Sequence, residues 1–237
     1  MNKEDFIMNY RKAFGDYELP IAFWYSEIPV VDVVKTRACF ICHLKPAREG
    51  KFVSLNIETI SCPGGKIYTG FIAPPPFVAN FVSNKEHYKQ SPELVNAFIA
   101  DLNIPSQVNK YINFTSLDQV KDLKQMEGLV FFATPDVLSG LTSWVFYDTN
   151  APDAVSVPFG SGCSSIIANT LVENQNKGYR TFLGMFDPSA RPQVEENILT
   201  LAVPMSRFKD LYHTIDQSCL QGTPAWNNVK KRIENGL

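Results

Sequence analysis

Apolar residues recur at helical spacing near the start of the chain. Phe6, Ile7, Tyr10 and Phe14 share one face and predict a helix over roughly Lys3 to Phe14. Leu19 to Tyr25 is strand-like, with Ile21, Phe23 and Tyr25 on one side of the pleat. A helix is expected over Arg37 to Arg48, although Pro46 sits poorly in its last turn. A short strand follows at Phe52 to Leu55, and Cys62-Pro63-Gly64-Gly65 reads as a turn. Helices are predicted over Val78 to Phe81 and over Pro92 to Leu102, the second with Ser91 as N-cap and proline at its first position. Tyr111 to Phe114 reads as a strand.

The second half is more regular. Strand Leu129–Ala133 leads to helix Asp136–Phe146, and strand Ala154–Val157 leads through a glycine turn to helix Cys163–Glu173. Strand Arg180–Met185 precedes an irregular stretch. Strand Ile198–Val203 leads to helix Met205–Ile215, and Pro224 to Ile233 is a last helix. Strands separated by helices predict an α/β fold, one domain over residues 1–237 with a mixed sheet flanked by helices. The alternation is weaker in the first half, so α+β is the alternative. The prolines at 74–76 are expected to form a stiff loop within that domain.

The most apolar stretch, Gly128 to Tyr147, is interrupted by Pro135-Asp136. An Asp at a bilayer centre costs about 2.5–3.5 kcal/mol on insertion scales, so a buried strand and helix are expected here, with no membrane span. The start of the chain carries Glu4 and Asp5 without an apolar segment behind them, which predicts a cytoplasmic protein with reduced thiols. Lys plus Arg number 22 and Asp plus Glu 24, a net charge of −2, so no basic footprint for nucleic acid is present.

Five cysteines in a reducing compartment point to packing, metal binding or reactive thiols. Cys39-Phe40-Ile41-Cys42-His43 has the spacing of covalent haem attachment, but the missing export signal argues against haem. Thiolates at i and i+3 can also meet one zinc ion or iron–sulfur cluster, with Cys62 as a third ligand and His43 or Cys163 as a fourth. The spacing also fits a thiol-redox pair, with Arg37 close enough to help lower a thiol pKa. Against all of these stands the plain reading of buried, inert cysteines, because free Cys is among the most buried residue types.

Two glycine turns add to the picture. Gly160-Ser161-Gly162-Cys163 follows a strand and opens a helix, where backbone N–H groups suit an anion or a thiolate. Cys62-Pro63-Gly64-Gly65-Lys66 could bring backbone close to a ligand at Gly64 and Gly65, but it lacks a full nucleotide-loop pattern. Arg48 and Arg191 are candidate anion partners, with solvated surface charge as the plainer alternative.

Several ordered segments resemble the domain of unknown function 169 family. They are Pro20-Ile21-Ala22-Phe23, Cys39 or Cys42 with Ala47-Arg48-Glu49-Gly50, Cys62-Pro63-Gly64-Gly65 with Gly70, and Gly162-Cys163. Gly184-Met185-Phe186-Asp187-Pro188-Ser189-Ala190-Arg191 and Ala202-Val203-Pro204 complete the set. The resemblance implies a mostly prokaryotic, cytoplasmic protein without an assigned activity, with a shared site around Cys62 and Cys163. The chain departs from the pattern at Met185, where a Cys after the glycine is expected.

Two functional readings follow. In the first, Cys39, Cys42, Cys62 and Cys163 converge with Gly64, Gly65, Gly162, Arg48 and Arg191 on a metal, an iron–sulfur cluster or an anionic cofactor. In the second, a small-molecule binding or sensing module without chemistry, Phe71, Phe77, Phe81 and Trp144 line an apolar pocket. Thiol reactivity discriminates between them.

Overall fold

The computed structural model describes residues 1–33 and 38–236. Seven strands form one sheet: β1 Ile21–Ser26, β2 Val53–Leu55, β3 Tyr111–Ser116, β4 Gly128–Ala133, β5 Val155–Ser156, β6 Thr181–Gly184 and β7 Leu199–Pro204. Their spatial order is β2-β3-β1-β4-β7-β6-β5. Every neighbouring pair is antiparallel except β5 and β6 at one edge, so the sheet is mixed.

Side chains alternate across the central strands and bury on both faces. Ala22, Leu129, Phe131, Ala133, Leu201 and Val203 enter one hydrophobic cluster, while Ile21, Phe23, Val130, Phe132 and Ala202 enter the other. A sheet apolar on both sides needs helices on both sides, which makes the fold a three-layer α/β sandwich.

The first face is covered by α1 (Lys3–Phe14), then, later in the chain, by helix Pro135–Val145, helix Met205–Leu211 and helix Pro224–Glu234. Phe131 is the hub of this layer. It is 1% exposed, with Tyr10 and Trp144 at centroid distances of 6.0 and 6.4 Å. The apolar run from residue 128 to 147 thus divides as expected into a strand and a helix started by Pro135. Among the described residues no helix is long and apolar enough to cross a membrane.

The second face carries shorter pieces: a 3₁₀ turn Phe40–Leu44, α2 Lys45–Arg48, α3 Pro63–Tyr68, α4 Phe77–Asn84 and α5 Pro92–Leu102. The remaining helices are α6 Pro135–Val145, α7 Asn169–Gln175, α8 Met205–Leu211 and α9 Pro224–Glu234.

Three local expectations change. The helix expected over Arg37 to Arg48 is instead the 3₁₀ turn followed by α2, and Arg37 lies outside the described residues. Pro46 falls in the first turn of α2, where its missing N–H costs nothing. The glycine turn after Cys62 is the first turn of α3, with Cys62 as N-cap and Pro63 in that turn. The helix expected from Cys163 begins as a wide π turn, Ser164–Ala168. Asn169 holds that width, because both its backbone N–H and its side-chain amide donate to the Ser164 carbonyl.

Phe131→Ala is expected to lower the unfolding free energy by about 3–5 kcal/mol, since it empties the centre of a closely packed aromatic layer. Urea unfolding followed by tryptophan fluorescence measures it, and a loss below about 1 kcal/mol would mean that the layer collapses to fill the void.

Candidate functional site

The second face encloses a cavity of about 340 Å³ between α3, α4, α5 and the loops around Phe159 and Asp187. Its outer part is aromatic. Phe77 and Phe81 project from α4, Phe98 from α5 and Phe159 from the turn before Cys163, and all but Phe98 are well exposed at the rim. The Lys89 ammonium lies 5.5 Å from the Phe98 centroid and 5.0 Å from that of Phe159. This cation–π arrangement places the amine against two rings at the mouth.

The inner wall is polar and sulfur-rich. Cys39, Cys62 and Cys163 all line it, brought from three separate stretches of chain. Cys39 stands at the start of the 3₁₀ turn in an extended conformation. Cys62 caps α3, and its Sγ accepts a hydrogen bond from the Gly65 N–H at 3.4 Å. Gly65 makes this approach possible: a Cβ there would come within 2.7 Å of Ile60 Cγ2 and 2.9 Å of the Cys62 sulfur. Gly64 faces the cavity, and a Cβ on it would meet the Cys163 sulfur at 3.9 Å.

The thiols are not equivalent. Cys39 and Cys62 hydrogen-bond to each other, with Cys39 held protonated as the donor. That bond, helped by backbone N–H donors, outweighs burial and pulls the Cys62 thiol down to about 6. The same partnership and burial push the Cys39 thiol up. Burial pushes Cys163 up to about 12, so it stays a thiol at neutral pH. Its Sγ lies 3.3 Å from Ser161 Oγ. Burial, followed by the neighbouring Cys163, also raises the Tyr68 phenol.

Asp187 forms the floor. It is 4% exposed and accepts from the Gly162 N–H at 3.2 Å, the Ser189 N–H at 2.9 Å and the Ser189 hydroxyl at 2.8 Å. The Gly162 N–H expected to serve an anion is therefore already taken by a carboxylate. Gly162 has a packing reason as well, since a Cβ there would sit 2.9 Å from Ala190 Cβ and 3.0 Å from the Met185 sulfur. Met185 itself adopts φ of 69°, a conformation unusual for a residue with a side chain.

Other predicted site residues lie elsewhere. Cys42 donates from Sγ to Gln193 Oε1 at 2.7 Å and does not line the cavity. Because Cys39 is extended before the 3₁₀ turn begins, the usual alignment of i and i+3 side chains does not apply to this CxxC pair. Arg48 pairs with Glu18 at 3.0 Å and Glu195 at 2.9 Å, and lies over Phe132 at 4.6 Å beside a second cavity of about 280 Å³. Arg191 donates to the backbone carbonyls of Glu196 and Ile198, which ties its own loop together. Among the described residues no group of three or more His, Cys, Asp or Glu side chains is placed to hold a metal ion. The expected four-cysteine set is thus reduced to three thiols on a shared wall, without a metal-holding arrangement.

The aromatic expectation divides in the same way. Phe77 and Phe81 line the cavity. Phe71 packs edge-on against Tyr25 at 6.0 Å, and Trp144 is fully buried on the opposite face of the sheet.

The family model for domain of unknown function 169, described as uncharacterised ArCR, matches residues 16–213. The chain belongs to that family. No curated protein and no solved structure matches the chain significantly. The matched span contains Cys39, Cys62, Cys163 and Asp187, so the cavity lies wholly within the family's domain.

Sequence reasoning missed Asp187, Ser161, Lys89 and Phe98. Asp187-Pro188-Ser189 carries a signal in hindsight, because an Asp two residues before a hydroxyl is a frequent side-chain-to-backbone turn. Lys89 and Phe98 reach the site only through tertiary packing.

Cys62 is expected to be the first cavity thiol alkylated by iodoacetamide at neutral pH. Its rate should rise with pH through a midpoint well below that of an ordinary thiol, because the thiolate is the reacting form. Cys39→Ala removes the donor with the largest lowering effect and should move that midpoint upward. Peptide mass spectrometry across a pH series reads both, and an unchanged profile in the variant would rule out Cys39 as the cause.

Proposed function

We propose that this DUF169 member binds a small, largely apolar molecule in the 340 Å³ cavity and presents the Cys62 thiolate to a soft or electrophilic atom of that molecule. One observation carries this reading: three cysteines from distant segments line one cavity whose outer part is aromatic. Cysteines used only for packing have no reason to gather, and a purely apolar pocket has no use for a depressed thiol pKa.

The charge of the lining favours a neutral or weakly charged ligand over a strongly anionic one. Glu86 and Asp187 bring two carboxylates to the cavity against the single ammonium of Lys89. The arginines that would hold an anion are engaged elsewhere. Burial of the ligand's apolar surface would then supply most of the affinity, with the thiol wall setting orientation.

A neutral apolar fluorophore, N-phenylnaphthylamine, tests the cavity directly. Burying roughly 200 Å² of apolar surface at about 25 cal/mol/Å² is worth about 5 kcal/mol before association costs. Weak binding, with a dissociation constant of about 200 μM or above and a stoichiometry near one, is therefore expected. Phe81→Asp, an exposed rim position whose change spares the core, should weaken it about tenfold. Undiminished binding in that variant would place the dye elsewhere and remove the support. Stoichiometric iron or zinc in protein purified without oxygen, lost in Cys62→Ser, would replace this reading with a thiolate-bound metal or cluster.

A further inference from the structure

From the Lys89 ammonium lying against both the Phe98 and Phe159 rings, at the mouth of a cavity lined by two carboxylates, we infer that this cavity takes an apolar organic cation, a substituted ammonium whose head displaces Lys89. The inference rests on the binding reading above and adds to it the ligand's charge and the place that charge occupies. A single charge on an apolar body stays within the weakly charged class that the lining favours.

The rings come from separate elements and converge. Phe98 belongs to α5 and Phe159 to the turn before Cys163. Gly160 leaves room for the first, since a Cβ there would come within 3.1 Å of Phe98 Cζ. Tyr88 tilts against Phe159 with centroids 6.1 Å apart, and Phe77 and Phe81 line the cavity from α4. Lys89 Nζ lies 5.5 Å from the Phe98 centroid and 5.0 Å from that of Phe159, inside the range of about 6 Å in which a cation is attracted to a ring face. The chain's own amine thus stands in for the ligand's head. It is also the poorer occupant, because a primary ammonium is compact and strongly hydrated. N-alkyl groups carry the same charge on apolar surface, and aromatic faces around one space recognise that chemistry.

The charge of the lining points the same way. Lys89 is the single cation among the described lining residues, set against the exposed carboxylate of Glu86 and the buried one of Asp187. The donors to Asp187 are the N–H groups of Gly162 and Ser189 and the Ser189 hydroxyl, all of them neutral. They stabilise its negative charge without cancelling it. Once the Lys89 side chain turns out to water on its flexible stem, two carboxylates face the cavity with no cation between them. A positive ligand relieves that imbalance, which counts for more in a poorly solvated space than in water. A neutral molecule of the same shape gains the ring contacts alone, and an anion meets both carboxylates.

The test compares benzyltrimethylammonium with dimethylbenzylcarbinol, a neutral alcohol of nearly the same shape, by ligand-detected NMR titration of the full chain. The cation should bind about tenfold more tightly than the alcohol, and the ring currents should shift its N-methyl protons upfield. Lys89→Met keeps an apolar stem and removes the competing amine. It should strengthen cation binding about threefold or more and leave the alcohol within about twofold. Phe159→Leu, at an exposed turn position, keeps an apolar side chain without a ring, and should weaken the cation about threefold while sparing the alcohol. Equal affinities for cation and alcohol, a cation affinity unchanged or lowered in Lys89→Met, or an unaltered preference in Phe159→Leu would each overturn the inference. N-phenylnaphthylamine titration of the same preparations keeps the two readings apart. Dye binding without a preference for the cation sinks only the charge assignment, whereas a protein that binds none of the three probes sinks the binding reading beneath it.

Discussion

β1 and β4 lie at the middle of the sheet and bury side chains on both faces, and this double burial constrains everything around them. Phe131 and Phe132 are adjacent in sequence yet belong to opposite cores. A slip of one residue in the pairing of β4 with β7 would exchange the two sets, so register is fixed by packing from both sides at once. The two cover layers then differ in kind. The first face receives longer helices with interlocking aromatic rings, among them Phe6 against Phe208 edge-on at 4.9 Å. The second receives short turns and helices, with Cys62 at the start of α3 and side chains of α4 and α5 lining the cavity.

That division places rigidity and chemistry on opposite sides. A long helix presents side chains at fixed spacing, whereas short elements present their termini, where backbone N–H groups are unpaired within the helix. Cys62 uses such an N–H at Gly65, and the Gly160 to Cys163 turn gives one from Gly162 to Asp187. The two cases have opposite consequences. At Cys62 the N–H stabilises a thiolate that faces the cavity. At Gly162 the N–H is satisfied by a carboxylate, which anchors the loop carrying Ser189 and Ala190 against the turn before Cys163. The glycines therefore serve close packing around sulfur and carboxylate more than they serve a phosphate-like ligand.

Local chemistry made much of the fold legible. Ser91 before Pro92 set the start of α5, and the observed helix spans Pro92–Leu102 as read from the sequence. The interruption at Pro135 separated β4 from α6 for the same reason. Segments without such a stop signal were harder: Pro63-Gly64-Gly65 reads as a breaker, yet proline in the first turn of a helix is favourable and the glycines are tolerated where sulfur and Ile60 press close. The site was legible in three of its cysteines, in Gly64 and in Phe77 and Phe81. Arg48 lies near the CxxC in sequence, but its guanidinium is claimed by Glu18 and Glu195, whose positions no local pattern reveals. Phe98 and Lys89, by contrast, sit in ordinary amphipathic and polar stretches that gain meaning only when α4 and α5 close over the cysteine wall.

The three thiols illustrate how environment separates chemically identical groups. Cys163 sits within the π turn's entrance, surrounded by apolar atoms and a hydroxyl, and the cost of a buried charge keeps it protonated. Cys39 is less buried, but it donates its proton toward Cys62 and is likewise held neutral. At Cys62 the hydrogen bonds from Cys39 and from backbone N–H groups together outweigh burial. A negative charge on this wall is therefore directed to one sulfur. Any second charge would have to form beside the first in a poorly solvated cavity, where repulsion between neighbouring thiolates is weakly screened. Such a wall favours charge on one sulfur, an arrangement set by three segments that only the folded sheet brings together.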